Sequence, residues 1–466
     1  MLDTFLSGFR ITFGQFELVM GIITLVGLLL QRKKATDVVM GVTKAIVGVM
    51  ILKQGSTLLQ AAYRPVMEIL KKAFNISGVI TENYSGMAAI NTSLVESVLS
   101  VVPTVLVLAF LVNLILARVS PLKYVFLTCH TLLAMSTLTV WVMHFFFGIS
   151  GIPLMIAAAI FLGIYNTVMP AWVHRYAKPF VGDSFTLGHI SGMAAVISTG
   201  VGRLMGGWRK NKKLYDEEED VAERRGISKI FTDSTVVTCL LMTVVLGGIC
   251  LIAGRDYILE QCGTANWFVW TIELGASFTV GIVVLLTGVR MMIAELVPAF
   301  KGISDKLIPN AVPALDMPVF YPLAPLASVL GFIGAFVGEF VGFFVLLAVG
   351  SPVLMIPGII ATFFDGGIAG VFGFKYGGKK AALISGLVCG LVQILGGVFF
   401  TQWSGMAALG ATYGNTDFGS LWLIITPIMK VVGNVWFFMA IIVALFVLAC
   451  FLLKPKAGKA DTAPVA

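Results

Sequence analysis

TGVRMMIAELVPAFKGISDKLIPNAVPALD, residues 287–316, decides how the rest of the chain is read. It continues an apolar run too long for a soluble protein. It carries Arg290, Glu295, Lys301, Asp305 and Lys306, passes Pro309 and Pro313, and ends on a lone carboxylate, Asp316, before another apolar run. A segment that is lipid-compatible, then charged, then interrupted by proline is not plain spanning helix. Backbone groups freed by proline need partners in protein or in a wet cavity. An ionisable residue at such a break marks a functional site. The competing reading is a cytoplasmic loop with solvated charges.

Composition extends the membrane reading to the whole chain. Of 466 residues, 58% are hydrophobic and 12% charged, against about 25% charged in soluble domains. The net charge of +8 sits in loops between apolar runs, as membrane topology requires, so nucleic acid is excluded as a partner. Cys129, Cys239, Cys250, Cys262, Cys389 and Cys450 are scattered without a CxxC pair. Neither a disulfide framework nor a zinc site is indicated, and no cofactor is expected. The N-terminal MLDTFLSGFRITFGQFELVM lacks the basic region and cleavage site of a removed signal peptide.

About eleven runs reach the length of a spanning helix: 16–30, 38–52, 98–116, 124–147, 153–173, 236–253, 270–289, 329–349, 354–374, 381–400 and 432–453. Lysine and arginine crowd every second loop: Arg32-Lys33-Lys34, Arg118 with Lys123, the stretch His174–Arg225, Lys375 with Lys379-Lys380, and Lys454 onward. The intervening loops, such as Gly148–Gly151 and Thr401–Ser420, are poor in charge. This alternation predicts an outside N-terminus and a cytoplasmic C-terminus. Arg64 with Lys71-Lys72 breaks the pattern and marks an interfacial or re-entrant segment. Residues 174–233 form a long cytoplasmic connection between two groups of spans. Its run KKLYDEEEDVAERR (212–225) has the charge spacing of a solvated amphipathic helix. Residues 454–466 are a polar cytoplasmic tail, and no soluble domain is expected at either end. A weak internal echo links Gly48-Val49, Pro65 and Asn83-Tyr84 to Gly288-Val289, Pro309 and Asp316. Two such halves around a midplane site are a common transporter plan.

Few residues can carry chemistry. GFKYGGK (373–379) has Walker spacing, but Lys380 stands where the magnesium-binding hydroxyl belongs, so it is a false positive. Of the four histidines, His144 reads as helix packing and His174 as a boundary residue. His130 and His189 lie beside glycine or small polar residues, where backbone is irregular and an imidazole can bond solute hydroxyls. Glu339 and Asp365 are the clearest acids within spans. Each is protonated, paired or facing water, because an ionised acid at mid-bilayer costs on the order of 2.5–3.5 kcal/mol. Asp365 precedes Gly366-Gly367, the mark of a broken helix.

GVRMMIAELVPAFKGISDKLIPNAVPALD (288–316), SPVLMIPGIIATFFDGGIAGVFGFKYGG (351–378) and SFTLGH (184–189) together resemble the ascorbate-type IIC permeases of the bacterial phosphoenolpyruvate:sugar phosphotransferase system. The similarity runs from about residue 20 to residue 450. The resemblance implies an all-α polytopic protein of the inner membrane. It implies a core domain set against a V-shaped dimerisation domain, and a homodimer. It also implies separate cytoplasmic IIA and IIB proteins that carry the phosphoryl group, so no catalytic residue is expected here. The binding positions it implies are Asn83, Tyr84, His130, Ala134, His189, Ile190 and Asp316. Two of these depart from the family pattern. Glutamine is usual four residues after the first histidine, where this chain has Ala134, and directly after the second, where it has Ile190. A site built around a hydroxyl discriminates strongly when its partner changes, so a solute other than ascorbate stays open. The reading from residues alone keeps a second class open as well: an ion-coupled transporter in which Glu339 or Asp365 handles a proton. A non-transporting membrane scaffold is the third.

Overall fold

In a computed structural model, residues 16–73, 79–80, 83–94, 96–206, 214–216, 234–263 and 266–454 are described. Of the described residues, 81% are helical. In order come α1 (Phe16–Leu30), α2 (Ala35–Ala73), β1 (Val79–Ile80), α3 (Asn83–Ser93), α4 (Glu96–Leu99), α5 (Val102–Val119), β2 (Tyr124–Phe126), α6 (Cys129–Phe147) and α7 (Gly151–Val181). Then follow β3 (Thr186–Leu187), α8 (Gly192–Gly206), α9 (Ser234–Ala253), α10 (Arg255–Cys262), α11 (Trp267–Lys306), β4 (Val312–Leu315) and α12 (Pro325–Ala348). The last elements are β5 (Met355–Ile356), α13 (Ile359–Leu391), α14 (Gly397–Trp403), α15 (Leu421–Val432) and α16 (Val435–Leu452). Among the described residues, eight helices are long and apolar enough to cross a bilayer, and three shorter apolar helices accompany them. Leu, Val and Phe side chains on α9, α12 and α16 stay exposed, as lipid-facing surfaces require.

Each expected span contains helix, with local differences. Tyr124–Phe126 is a strand, and the helix begins at Cys129. A short continuous apolar run cannot be told from helix by periodicity. The runs 354–374 and 381–400 are two arms of one helical hairpin, which reverses at Gly378 with φ 78°. The arms touch: a Cβ on Gly373 would lie 2.4 Å from Ser385 Oγ. The Walker-like glycines therefore make this turn. The basic end of the opening stretch belongs to α11, which runs unbroken through Pro298 to Lys306. Gln31 Nε2 donates to the Pro298 carbonyl at 2.6 Å and ties the end of α1 to α11.

α2 and α11 cross where the internal echo falls. A Cβ on Gly48 would meet the Gly288 carbonyl at 2.9 Å, and one on Gly288 the Gly48 carbonyl at 2.5 Å. Small residues permit such close approach in membranes.

The strands are short and sit where the spans break. β1 pairs with β5 in parallel, and a second parallel sheet has the order β2-β4-β3. Strands of the first half thus pair only with strands of the second, so the halves interlock. Pro313 lies in the central strand yet breaks no ladder. Val312 N donates to Lys123 O on the β2 side, and β3 begins pairing only at Ala314, so the missing N–H of Pro313 faces no partner strand.

Much of the expected 174–233 connection is packed structure. Residues 174–181 complete α7, β3 joins the sheet, and α8 packs on the hairpin with a Cβ on Gly202 only 2.8 Å from the Gly373 carbonyl. Leu214–Asp216 are not helical, and Tyr215 N donates to Lys375 O at 3.0 Å. The rest of the amphipathic run lies outside the described residues.

Candidate functional site

Three side chains that follow the strands β2, β4 and β3 converge. His130 comes just after β2, His189 just after β3, and Asp316 directly after the central β4. Parallel pairing puts the three strand ends on one side of the sheet, which is why residues so far apart in sequence meet. Asp316 also caps the following 3-10 turn, accepting from Met317 N at 2.7 Å. Its Oδ2 lies 3.7 Å from His130 Nε2 and its Oδ1 3.7 Å from His189 Nε2. The imidazole centroids are 6.0 Å apart. Asp316 and His189 are buried, whereas the His130 side chain is 34% exposed, so the centre opens past His130. Close packing holds the register: a Cβ on Gly188 would lie 2.6 Å from the Ala314 carbonyl.

A buried network stands behind His189. Ser191 Oγ donates to Asp365 Oδ1. Asp365 also accepts from Asn415 Nδ2 at 2.7 Å, from Gln393 Nε2 at 3.1 Å, and from both the backbone N–H and the hydroxyl of Thr416. A serine hydroxyl has one hydrogen. Having given it to Asp365, Ser191 Oγ is an acceptor, and His189 Nδ1, 3.1 Å away, is the donor. In the neutral ring this leaves a lone pair on Nε2, facing Asp316. Two acceptors opposite each other beside the partly exposed His130 are completed by a hydroxyl donor or by a cation.

A family profile described as the PTS system sugar-specific permease component, EIIC-GAT, matches residues 12–419. The chain belongs to this permease family. The "Ascorbate-specific PTS system EIIC component" of Mycoplasma pneumoniae is 26% identical over 448 residues, covering 84% of this chain. The chain spans 65% of that relative's length.

Other residues of the permease singled out in sequence fall as follows. Asn83 and Tyr84 open α3, but their side chains lie outside the described residues; Gly86 of that helix abuts the Thr412 carbonyl. Ala134 and Ile190 are buried in an apolar cluster with Leu138, Tyr165 and Tyr413, and Tyr413 OH donates to Ala134 O at 3.3 Å. The amides near His189 come from elsewhere, Asn415 and Gln393, both committed to Asp365. His144 Nδ1 meets Ile149 O at 2.9 Å at the end of α6, a structural bond. His174 is buried and bonds Asp183 at 3.0 Å, and Lys178 joins it. The His174 hydrogen bond, with that of Lys178, holds the Asp183 carboxyl well below the usual carboxylate range. Glu339 is fully buried. Thr362 Oγ1 lies 2.7 Å from its Oε2, while Oε1 has no hydrogen-bond partner among the described residues.

The segment 411–419 is a site element that the sequence does not single out. It was expected as an outside loop, yet Ala411–Gly419 is buried. Asp417 accepts from Tyr165 OH and from Met193 N at 2.7 Å, and Asn415 and Thr416 hold Asp365. A polar run bracketed by glycines, GNTDFG (414–419), was the available signal. Its low charge masked it. Ser191 and Gln393 carried no signal of their own; Gln393 sits in a π-helical turn, Val392–Gly396, a distortion common at functional sites.

Proposed function

We propose that the permease binds L-ascorbate, or a closely related sugar-like solute, at His130, His189 and Asp316, with Asn83 and Tyr84 completing the site. It carries the solute inward, where a phosphorylated IIB protein, itself charged by IIA, modifies it. The observation that supports this reading is the convergence of three hydrogen-bonding side chains at the ends of parallel strands inside a membrane protein of the PTS permease family. Broken spans with polar side chains at the breaks are where transporters hold polar solutes. The ascorbate specificity named for the Mycoplasma relative supports ascorbate.

The test is uptake into vesicles holding the purified permease, IIA, IIB and a phosphoryl donor. Phosphorylated product should appear inside, this chain itself should carry no phosphate, and uptake should survive a protonophore. Uptake abolished by the protonophore while phosphorylation of IIB continues selects the ion-coupled reading instead, which buried Glu339, with one oxygen unpartnered among the described residues, favours. A stable phosphohistidine on His130 or His189 overturns both.

The alternation of basic loops supports an outside N-terminus and a cytoplasmic C-terminus in the bacterial inner membrane. Reporter fusions at Lys379 and after Lys454 should both read cytoplasmic, and a C-terminal fusion reading outside overturns the orientation. α1, α2, α9 and α11 pack as one bundle, with exposed Val39, Met40, Val47, Val244, Val280 and Val283. This bundle is the counterpart of the V-shaped domain through which two copies would pair.

A further inference from the structure

We propose that His130, His189 and Asp316 form a binding site for a borderline divalent transition metal ion of the zinc and cobalt class. The proposal uses side chains assigned above to the solute but does not depend on the solute's identity.

The three side chains offer two imidazole nitrogens and one carboxylate oxygen, all within 4.8 Å of one another. A tetrahedral zinc shell places its ligand atoms roughly 3.3 Å apart, from metal–ligand distances of about 2.0–2.2 Å. Each carboxylate oxygen of Asp316 already lies 3.7 Å from one imidazole nitrogen, Oδ2 from His130 and Oδ1 from His189. Two imidazoles, one carboxylate and an open fourth position form a ligand set that such ions accept. Magnesium and calcium need more oxygens than one carboxylate provides.

The network behind His189 is the second, independent observation. A ligating histidine ordinarily donates its other ring N–H to an oxygen that fixes the tautomer and the ring plane. His189 Nδ1 does this to Ser191, whose hydroxyl is in turn held by Asp365. The lone pair on Nε2 is thereby aimed at the carboxylate before any ion arrives. A bound cation would take the Nε2 lone pair and a lone pair of Asp316, so it would compete with a solute hydroxyl for the same two groups.

The test is a titration of metal-free purified permease with Co2+, read by its visible d–d absorption, followed by displacement with Zn2+. One ion per chain is expected, with band intensity of four- or five-coordinate cobalt and no thiolate charge-transfer band, which separates this site from the cysteines. His130→Gln, His189→Gln and Asp316→Asn should each weaken binding by more than about tenfold, and Ser191→Ala by about tenfold. No spectral change in the wild type overturns the proposal, and so does unchanged affinity in His130→Gln, the variant at the exposed position that a fold defect is least able to explain. Because no solute is present, metal binding in a chain that never takes up a sugar would overturn the transport reading alone. Sugar uptake without metal binding would overturn this one alone.

Discussion

Asp316→Asn is expected to weaken solute binding by roughly one to two powers of ten while leaving the protein folded. The substitution keeps size and shape. Its Oδ1 can still accept from Met317 N, so the 3-10 turn stays capped. What is lost is the charge on the acceptor between two histidines. Hydrogen bonds to a charged group contribute about 1.5–3 kcal/mol against about 1 for neutral ones, and about 1.4 kcal/mol is tenfold in affinity. The replacement amide also turns a donor toward one of the rings. Equilibrium binding on purified wild type and variant checks this. Unchanged affinity would remove Asp316 from the site. His144→Gln should leave affinity as it is, because its ring bonds the Ile149 carbonyl at a helix end and not the solute.

Asp365→Asn should do more damage than Asp316→Asn, although Asp365 does not face the centre. Five hydrogen bonds converge on its two oxygens, from Ser191, Asn415, Gln393 and twice from Thr416. An amide keeps one oxygen and sets an NH2 against donors on the other side. Each buried donor left without an acceptor costs about 1–3 kcal/mol, and at least two are affected, out of a total stability of about 5–15 kcal/mol for a typical domain. Thermal unfolding in detergent should drop sharply and transport should vanish. Ser191→Ala separates fold from function. It leaves Asp365 with Asn415, Gln393 and Thr416 and strands only the His189 Nδ1–H, so stability should fall by about 1–3 kcal/mol, less than in Asp365→Asn. It frees the His189 ring from its Nδ1 acceptor, and solute affinity should fall roughly five- to tenfold. A Ser191→Ala protein with full affinity would show that the ring's orientation does not need the serine.

The apolar runs and the alternation of basic loops follow from the solvent. Hydrocarbon accepts a helix only where side chains are apolar for a full crossing, so length and composition alone fix the class, and every expected span does contain helix. The break at Asp316 was equally legible, since proline and a lone carboxylate have no place in lipid. His130 and His189 stood out through their irregular surroundings, and the resemblance to the ascorbate-type permeases joined them to Asp316. Tertiary structure decided how they meet. Strand pairing between the halves carries no local signal, because a strand of two to four residues looks like any apolar stretch. Only the order β2-β4-β3 puts Asp316 between the two histidines. The support for His189 was less legible still. Ser191, Asp365, Gln393 and Asn415 lie far apart along the chain and come together only when the hairpin folds at Gly378 and segment 411–419 packs inward. A buried carboxylate announces in sequence that it needs partners; which ones it finds is settled by the path of the backbone.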